Sequence, residues 1–336
     1  MVEQARAQVA ALVDVKPGSI TFFSGGTEAN ITAIASAFFA GARRPVVLLT
    51  EHDSVMQTAL ASGLPVEGWP VDERGLADLD WLRERLAGWD RETDGPPLVC
   101  LSLANNETGV IQPVAEVAEI VRAADGWLHV DAVQAAGKIA IDFNALGADT
   151  MALSGHKLGA PQGVGALATG PRVVLTRRTF GGGQEKGVRA GTENVPGIVG
   201  FGAAAQAALR DLPKLADQAA WRDAAEARLK AEGATVFGEG APRLPQTLNL
   251  GRAGFGSELQ VMAMDLAGVM VSAGAACSSG KVAKSHVLQA MGAGDLADCA
   301  IRASGGWASK AEHWDRFVDA WLEADARQAS RRREVA

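Results

Sequence analysis

The sequence predicts an α/β protein, with a mostly parallel central sheet over residues 1–210 and a smaller α+β domain over residues 211–336. Two observations carry this. Short apolar runs, often β-branched, alternate with helical patterns through the first two thirds of the chain, the order that strand–helix–strand units require. Glycine-rich and polar stretches follow directly on those runs, where open parallel sheets bind their ligands.

The strands come first in that argument. Ile20–Phe23, 46–49, 98–103, Trp127–Asp131 and 150–153 read as strands covered on both faces, because their apolar character is continuous and not alternating. Between them, 28–40, 79–86 and 114–124 carry helical periodicity. A helix over 193–212 closes the large domain. Pro213 is expected to end it, since proline has no N–H and its ring crowds the preceding turn. A charged, alanine-rich helix over 214–232 then opens the small domain. Strands at Thr235–Phe237 and 247–250, a helix at Ser257–Leu266 and a strand at 269–271 follow.

Composition narrows the function classes. A net charge of −7 with both signs mixed leaves no electrostatic footprint for nucleic acid or for an anionic membrane. Residues 1–15 are amphipathic and charged, without the apolar core of a signal peptide, and no apolar run reaches membrane-spanning length. Cys100, Cys277 and Cys299 are odd in number and lack metal-type spacing. That pattern suits reduced thiols in the cytoplasm and predicts no metal centre.

Several residues at strand ends carry chemistry, each with a plainer alternative. Lys157, in Ser154-Gly155-His156-Lys157, can serve as a Schiff-base amine with Ser154 and His156 at hand for a phosphate, or can be a solvated loop lysine. Gly25-Gly26-Thr27 ends a strand and opens a helix, so free N–H groups and the helix dipole make an anion site there; alternatively Thr27 is a helix N-cap. His52 can stack on an aromatic cofactor or be an ordinary loop histidine. Asp131 ends a strand and needs a cationic or donor partner, unless it caps the next element. Gln134 and Asn106 are within sequence reach of the same edge, and Asp131 and Lys157 fall on neighbouring strands. Thr192 follows a three-glycine loop and can cap the next helix. Cys277, among small residues with Lys281 and Lys284 nearby, has the setting of an accessible thiol, whereas Cys100 and Cys299 read as packing residues. Arg302 can grip a carboxylate with both arms or form a surface ion pair.

Taken in order, these segments resemble one family. Ser24-Gly25-Gly26-Thr27-Glu28-Ala29-Asn30, Ala104-Asn105-Asn106-Glu107-Thr108-Gly109, His129-Val130-Asp131-Ala132-Val133-Gln134, Ser154-Gly155-His156-Lys157, Gly181-Gly182-Gly183-Gln184-Glu185 with Arg189-Ala190-Gly191-Thr192-Glu193-Asn194, and Ala276-Cys277-Ser278-Ser279-Gly280 are similar to the motifs of cysteine desulfurases. Those are class V aminotransferases of fold type I that use pyridoxal 5'-phosphate. The likeness runs from Val2 to beyond Arg302.

The resemblance implies roles. Lys157 would carry the cofactor and shuttle the α-proton. His52 would lie on the ring, Asp131 would hold the ring nitrogen, and Asn106 and Gln134 would contact substrate or ring oxygen. Gly26, Thr27, Ser154 and His156 would bind the phosphate, joined by Thr192 from a second copy in a homodimer. Arg302 would hold the carboxylate of L-cysteine. Cys277 would take the sulfur as a persulfide and deliver it to an acceptor or iron–sulfur scaffold protein. A selenocysteine lyase, another class V aminotransferase, or an inactive shortened relative would share most of these motifs. The family's N-terminal strand and loop precede the position matching Met1, and the expectation is a segment missing near the active site. The chain also departs from the family pattern at Gln246, Ala273, Ala275, Lys284 and Gly305-Gly306-Trp307.

Overall fold

The structure, a computed structural model, describes residues 1–274 and 284–335, the last five as backbone alone. The chain divides into two compact units. The first comprises Met1–Pro70, Ala77–Ala104 and Gln112–Leu212; the second comprises Val71–Leu76, Asn105–Ile111 and Pro213–Ala336.

The first unit is built on α1 (Val2–Leu12), β1 (Ile20–Phe23), α2 (Gly26–Phe39), β2 (Pro45–Leu48), α3 (Asp53–Ala61), β3 (Glu67–Trp69), α4 (Leu79–Ala87), α5 (Arg91–Asp94) and β4 (Leu98–Ser102). Then come α6 (Val114–Ala123), β5 (Trp127–Asp131), α7 (Phe143–Leu146), β6 (Thr150–Ser154), β7 (Gly165–Thr169) and the start of α8 (Val195–Ala231). Seven strands form one sheet in the order β1-β7-β6-β5-β4-β2-β3. Only β7 runs against its neighbours, so six of the seven strands point the same way. Every residue of β1, β2, β4 and β6 is buried, as expected of strands with both faces covered. Ile34 and Ala37 of α2 pack with Val47, Val55, Leu98 and Cys100 beneath the sheet. The register aligns Ser102 with Asp131 and Asp131 with Ala152, which brings the ends of β4, β5 and β6 into one row.

The second unit holds an antiparallel sheet ordered β10-β11-β9-β8. Its elements are β8 (Thr235–Phe237), β9 (Thr247–Gly251), α9 (Ser257–Leu266), β10 (Ser272–Ala273), α10 (His286–Ala290), β11 (Ala300–Ser304) and α11 (Ala311–Val335), with the later part of α8. Trp314, Phe317, Val318 and Trp321 make an i, i+3, i+4, i+7 stripe on α11 that packs on Leu248, Leu250, Met264 and Ile301. The buried Trp321 indole donates to Gln260 Oε1 at 2.8 Å, and Gln260 Nε2 donates to the carbonyls of Phe255 (2.7 Å) and Cys299 (2.6 Å). One polar pair thus satisfies itself inside the apolar stripe. Asn105–Ile111 joins this unit through its backbone: Leu244 N donates to Gly109 O and Ile111 N donates to Pro242 O, both at 2.8 Å.

The structure corrects two expectations and adds a strand. Pro213 does not end a helix; α8 runs through it for 37 residues. Proline removes one backbone hydrogen bond at a cost of about 3 kcal/mol. Buried residues on either side, Phe201 and Ala205 before it and Ala225 and Leu229 after it, offset that loss. The strand expected at 269–271 is instead the C-terminal closure of α9. Gly268 takes φ +71° and Val269 N returns to Met264 O at 2.8 Å, and the short strand begins at Ser272. The added strand is β7, whose Gly-Ala-Leu-Ala-Thr composition has one strand-favouring residue, Thr169; ladders on both sides hold it.

Removing the Trp321 side chain deletes the centre of the second core. Trp321→Ala is expected to lose about 3–5 kcal/mol of stability in urea unfolding. A loss under about 1 kcal/mol, the range of ordinary surface substitutions, would contradict this packing account.

Candidate active site

All six co-directional strands of the first unit end at one edge, and the site is built there. Gly25 precedes α2 without a side-chain cap, and the first intrahelical bond runs from Ala29 N to Gly25 O. The N–H groups of Gly26, Thr27 and Glu28 therefore have no partner among the described residues. Two glycines allow this helix end to sit so low on the sheet. A Cβ on Gly26 would lie 2.8 Å from Val133 Cγ2 and 3.3 Å from Ser154 Cβ, and one on Gly165 would overlap the backbone of Gly25. Ser154 ends β6 beneath that helix terminus, with its hydroxyl 2.9 Å from His156 Nδ1. Partial burial and the charges of Lys157 and Lys138 lower the His156 pKa, which keeps its ring neutral. Thr27 lies in the first turn of α2 and is exposed, so it is not the N-cap.

Asp131 is the buried charge of this edge. Oδ1 accepts from Val133 N at 2.9 Å and Oδ2 from Asn30 Nδ2 at 2.8 Å. Burial raises its pKa, while these two bonds and the charge of Lys157 act the other way. The first of its bonds serves the turn after β5 and the second leads into the core, so Asp131 does not cap a helix. Lys157 is half-buried in a 3-10 turn (Gly155–Leu158) that continues β6, and it forms no ion pair among the described residues. His52 caps α3: its Nδ1 accepts from Ser54 N at 3.0 Å and lies 2.9 Å from Ser54 Oγ.

Behind these groups runs a polar network that the sequence reading missed. Asn30 Nδ2 lies 2.8 Å from both Ser54 Oγ and Asp131 Oδ2, Asn30 Oδ1 lies 2.9 Å from His129 Nε2, and His129 Nδ1 lies 2.8 Å from Thr150 Oγ1. Burial pushes the His129 pKa down to about 3, so the ring is neutral. The available signal was a histidine inside an apolar strand and an asparagine on the buried face of an apolar helix. Glu51, wholly buried next to His52, accepts from Ser102 N at the end of β4. Burial first, and then the nearby Asp131, raise its pKa to about 8, so it holds its proton at neutral pH.

The remaining expected residues are dispersed. Gln134 is half-buried, and its carbonyl accepts from Lys138 Nζ at 2.8 Å. Thr192 is exposed and does not cap α8, because Asn194 does so by accepting from Gly197 N at 3.1 Å. Its loop is tied down by Glu185, which takes a bidentate bond from the buried Arg6 (2.7 and 3.0 Å) and another from Phe22 N. Asn106 and Arg302 belong to the second unit, where Arg302 Nη1 donates to Asn106 O at 2.5 Å and Nη2 to Ser272 Oγ at 3.2 Å. Cys100 is buried, and burial holds its thiol well above the usual range. Cys277 lies outside the described residues.

The donor set suits pyridoxal phosphate. Three unpartnered N–H groups beside a serine hydroxyl fit a phosphate, a half-buried amine fits an aldehyde, and a buried carboxylate with no bonded cation fits a protonated ring nitrogen.

Glu51 gives the site a pH signature. Its carboxyl ionises near 4.3 in an unfolded chain and near 8 in the fold, so the folded state binds the extra proton between those values. Its contribution to stability is intact below about pH 4 and is lost as pH rises toward 8. Glu51→Gln removes that loss. The variant's stability relative to wild type is expected to rise by a few kcal/mol between pH 5 and 8 in urea melts; parallel curves would refute the assignment.

Comparison with known proteins fits this geometry. The family model described as aminotransferase class-V matches residues 1–317. The chain is 38% identical over 307 residues to cysteine desulfurase IscS 1 of Archaeoglobus fulgidus, covering 87% of this chain and 77% of that protein. It is 38% identical to the mitochondrial cysteine desulfurase of Drosophila melanogaster, covering 95% and 70%. Its structure is similar to that of a NifS-like protein from Rickettsia africae at a TM-score of 0.87 and 32% identity, covering 97% of this chain and 88% of that one. By sequence and by fold, the chain belongs to the class-V aminotransferase family, among the cysteine desulfurases.

Proposed function

We propose that this chain converts L-cysteine to L-alanine with pyridoxal 5'-phosphate and passes the sulfur to its own Cys277. The observation that carries the reading is the buried Asp131 carboxylate. It stands one strand away from Lys157, beside a helix terminus whose first three N–H groups have no partner among the described residues. Pyridoxal phosphate, when bound, supplies an electron sink for negative charge at the α-carbon of an amino acid.

The chain's own residues do the rest. Gly26 and Thr27 N–H groups, Ser154 and His156 would hold the phosphate, and Asp131 would hold the ring N–H. Lys157 would secure the cofactor and move the α-proton, with the His52 ring against the cofactor. Asn106 and Gln134 would contact substrate or the ring oxygen, and the Arg302 guanidinium would recognise the carboxylate. The thiolate of Cys277 would attack the substrate sulfur; an S–S bond forms as the C–S bond breaks, and protonation of the carbon gives alanine.

A homodimer belongs to the same proposal. Thr192 is exposed, as are the apolar Val174 and Phe180 on the chain leading to it, which suits contribution of this loop to a second copy. The sulfur would then leave Cys277 for an acceptor or iron–sulfur scaffold protein. Among the described residues no helix is long and apolar enough to cross a membrane. A cytoplasmic setting follows from three cysteines without a disulfide framework.

The test is alanine release from cysteine in the presence of pyridoxal phosphate and a thiol reductant. Wild type is expected to make alanine and sulfide in equal amounts. Cys277→Ser is expected to keep the visible absorbance of bound cofactor while sulfide release falls to background. Undiminished turnover in that variant would remove Cys277 from the reaction.

A further inference from the structure

We infer that Asn30 is a positioning residue of this site: its side-chain amide is the branch point that holds the Asp131 carboxylate and, through Ser54, fixes which nitrogen of His52 carries the proton. The inference rests on the reading just given. It concerns groups that lie behind the cofactor-binding residues and touch neither substrate nor cofactor.

The argument is one of donors and acceptors. Asn30 is wholly buried, so each of its polar atoms needs a partner. Asp131 Oδ2 is an acceptor, and Nδ2 spends one proton there and the other on Ser54 Oγ. A reversed amide would set Oδ1 against an ionised carboxylate, acceptor to acceptor, so an ionised Asp131 fixes the orientation seen here, with Nδ2 toward Oδ2. Oδ1 can then only accept, which places the His129 proton on Nε2. His129 Nδ1 is left bare and takes the proton of the Thr150 hydroxyl.

The other arm ends at His52. Its Nδ1 accepts from the Ser54 backbone N–H at 3.0 Å, and the Ser54 hydroxyl, which receives from Asn30, has its own proton free for the same nitrogen at 2.9 Å. The His52 proton is therefore on Nε2, which has no hydrogen-bond partner among the described residues. A neutral amide is the group this place requires. It gives two protons and accepts one without adding a charge beside Asp131, where a cation would compete for the carboxylate and an anion would repel it.

Histidine 15N spectra of the full chain freed of cofactor test this directly, with His52→Gln and His129→Gln used to assign the signals. Wild type is expected to show Nδ1 of both rings as the hydrogen-bond acceptor and the proton on Nε2, and His129 is expected not to titrate between pH 5 and 8. Asn30→Asp keeps the size and the acceptor but gives at most one proton where the amide gives two. It should bring the His129 titration above pH 5, shift the His52 signals and weaken pyridoxal phosphate binding at least tenfold. Ser54→Ala should shift the His52 signals and leave those of His129 in place. A wild-type His52 proton on Nδ1, a His129 that titrates near pH 6.5, or an Asn30→Asp protein with wild-type signals and affinity would overturn the inference. Wild-type protein that shows the expected spectra yet binds no cofactor would sink the proposed function and leave the network standing.

Discussion

A carboxylate buried at the end of β5 is the constraint on which the rest of the first unit depends. Asp131 is removed from water with no bonded cation among the described residues, and burial alone would drive it to take a proton. What opposes that proton is a set of neutral donors, Asn30 and Val133 N, with the charge of Lys157 acting through space. A second acid, Glu51, sits close enough to be raised by it and stays protonated. Two carboxyls at one sheet edge are compatible because their environments separate their ionisation.

Close packing then decides what can stand around that charge. Gly26 and Gly165 let the start of α2 settle against Val133, Ser154 and β7, which directs three N–H groups, unpartnered among the described residues, at the edge where Ser154 and His156 already stand. The parallel register carries Asp131 and the end of β6 to the same row. The anion site and the anionic residue are thus separate features of one edge, each suited to a different part of one cofactor.

Much of this was legible in the sequence, and the failures have physical causes. Strands covered on both faces announce themselves as apolar runs, so β1, β5 and the residues at their ends were placed closely. β7 was not, because Gly-Ala-Leu-Ala-Thr has little intrinsic strand preference and owes its state to its two neighbours. Pro213 misled because local chemistry predicts a break that tertiary burial overrides. At the site, the residues proposed to meet a ligand stood in recognisable motifs. Asn30, Ser54 and His129 support those residues from behind, and their pairing across 99 and 101 positions has no local pattern to read. The sequence also offered Thr192 as a cap for the next helix, a place that Asn194, two positions later, fills.

The most direct measurement of the central claim is the affinity for pyridoxal phosphate of Asp131→Asn beside wild type, by absorbance titration at neutral pH. If the buried charge of Asp131 organises the site, a neutral amide there should cost about 1.5–3 kcal/mol, roughly a tenfold to hundredfold loss of affinity, in a protein that remains folded. Equal affinities in the two proteins would contradict the account.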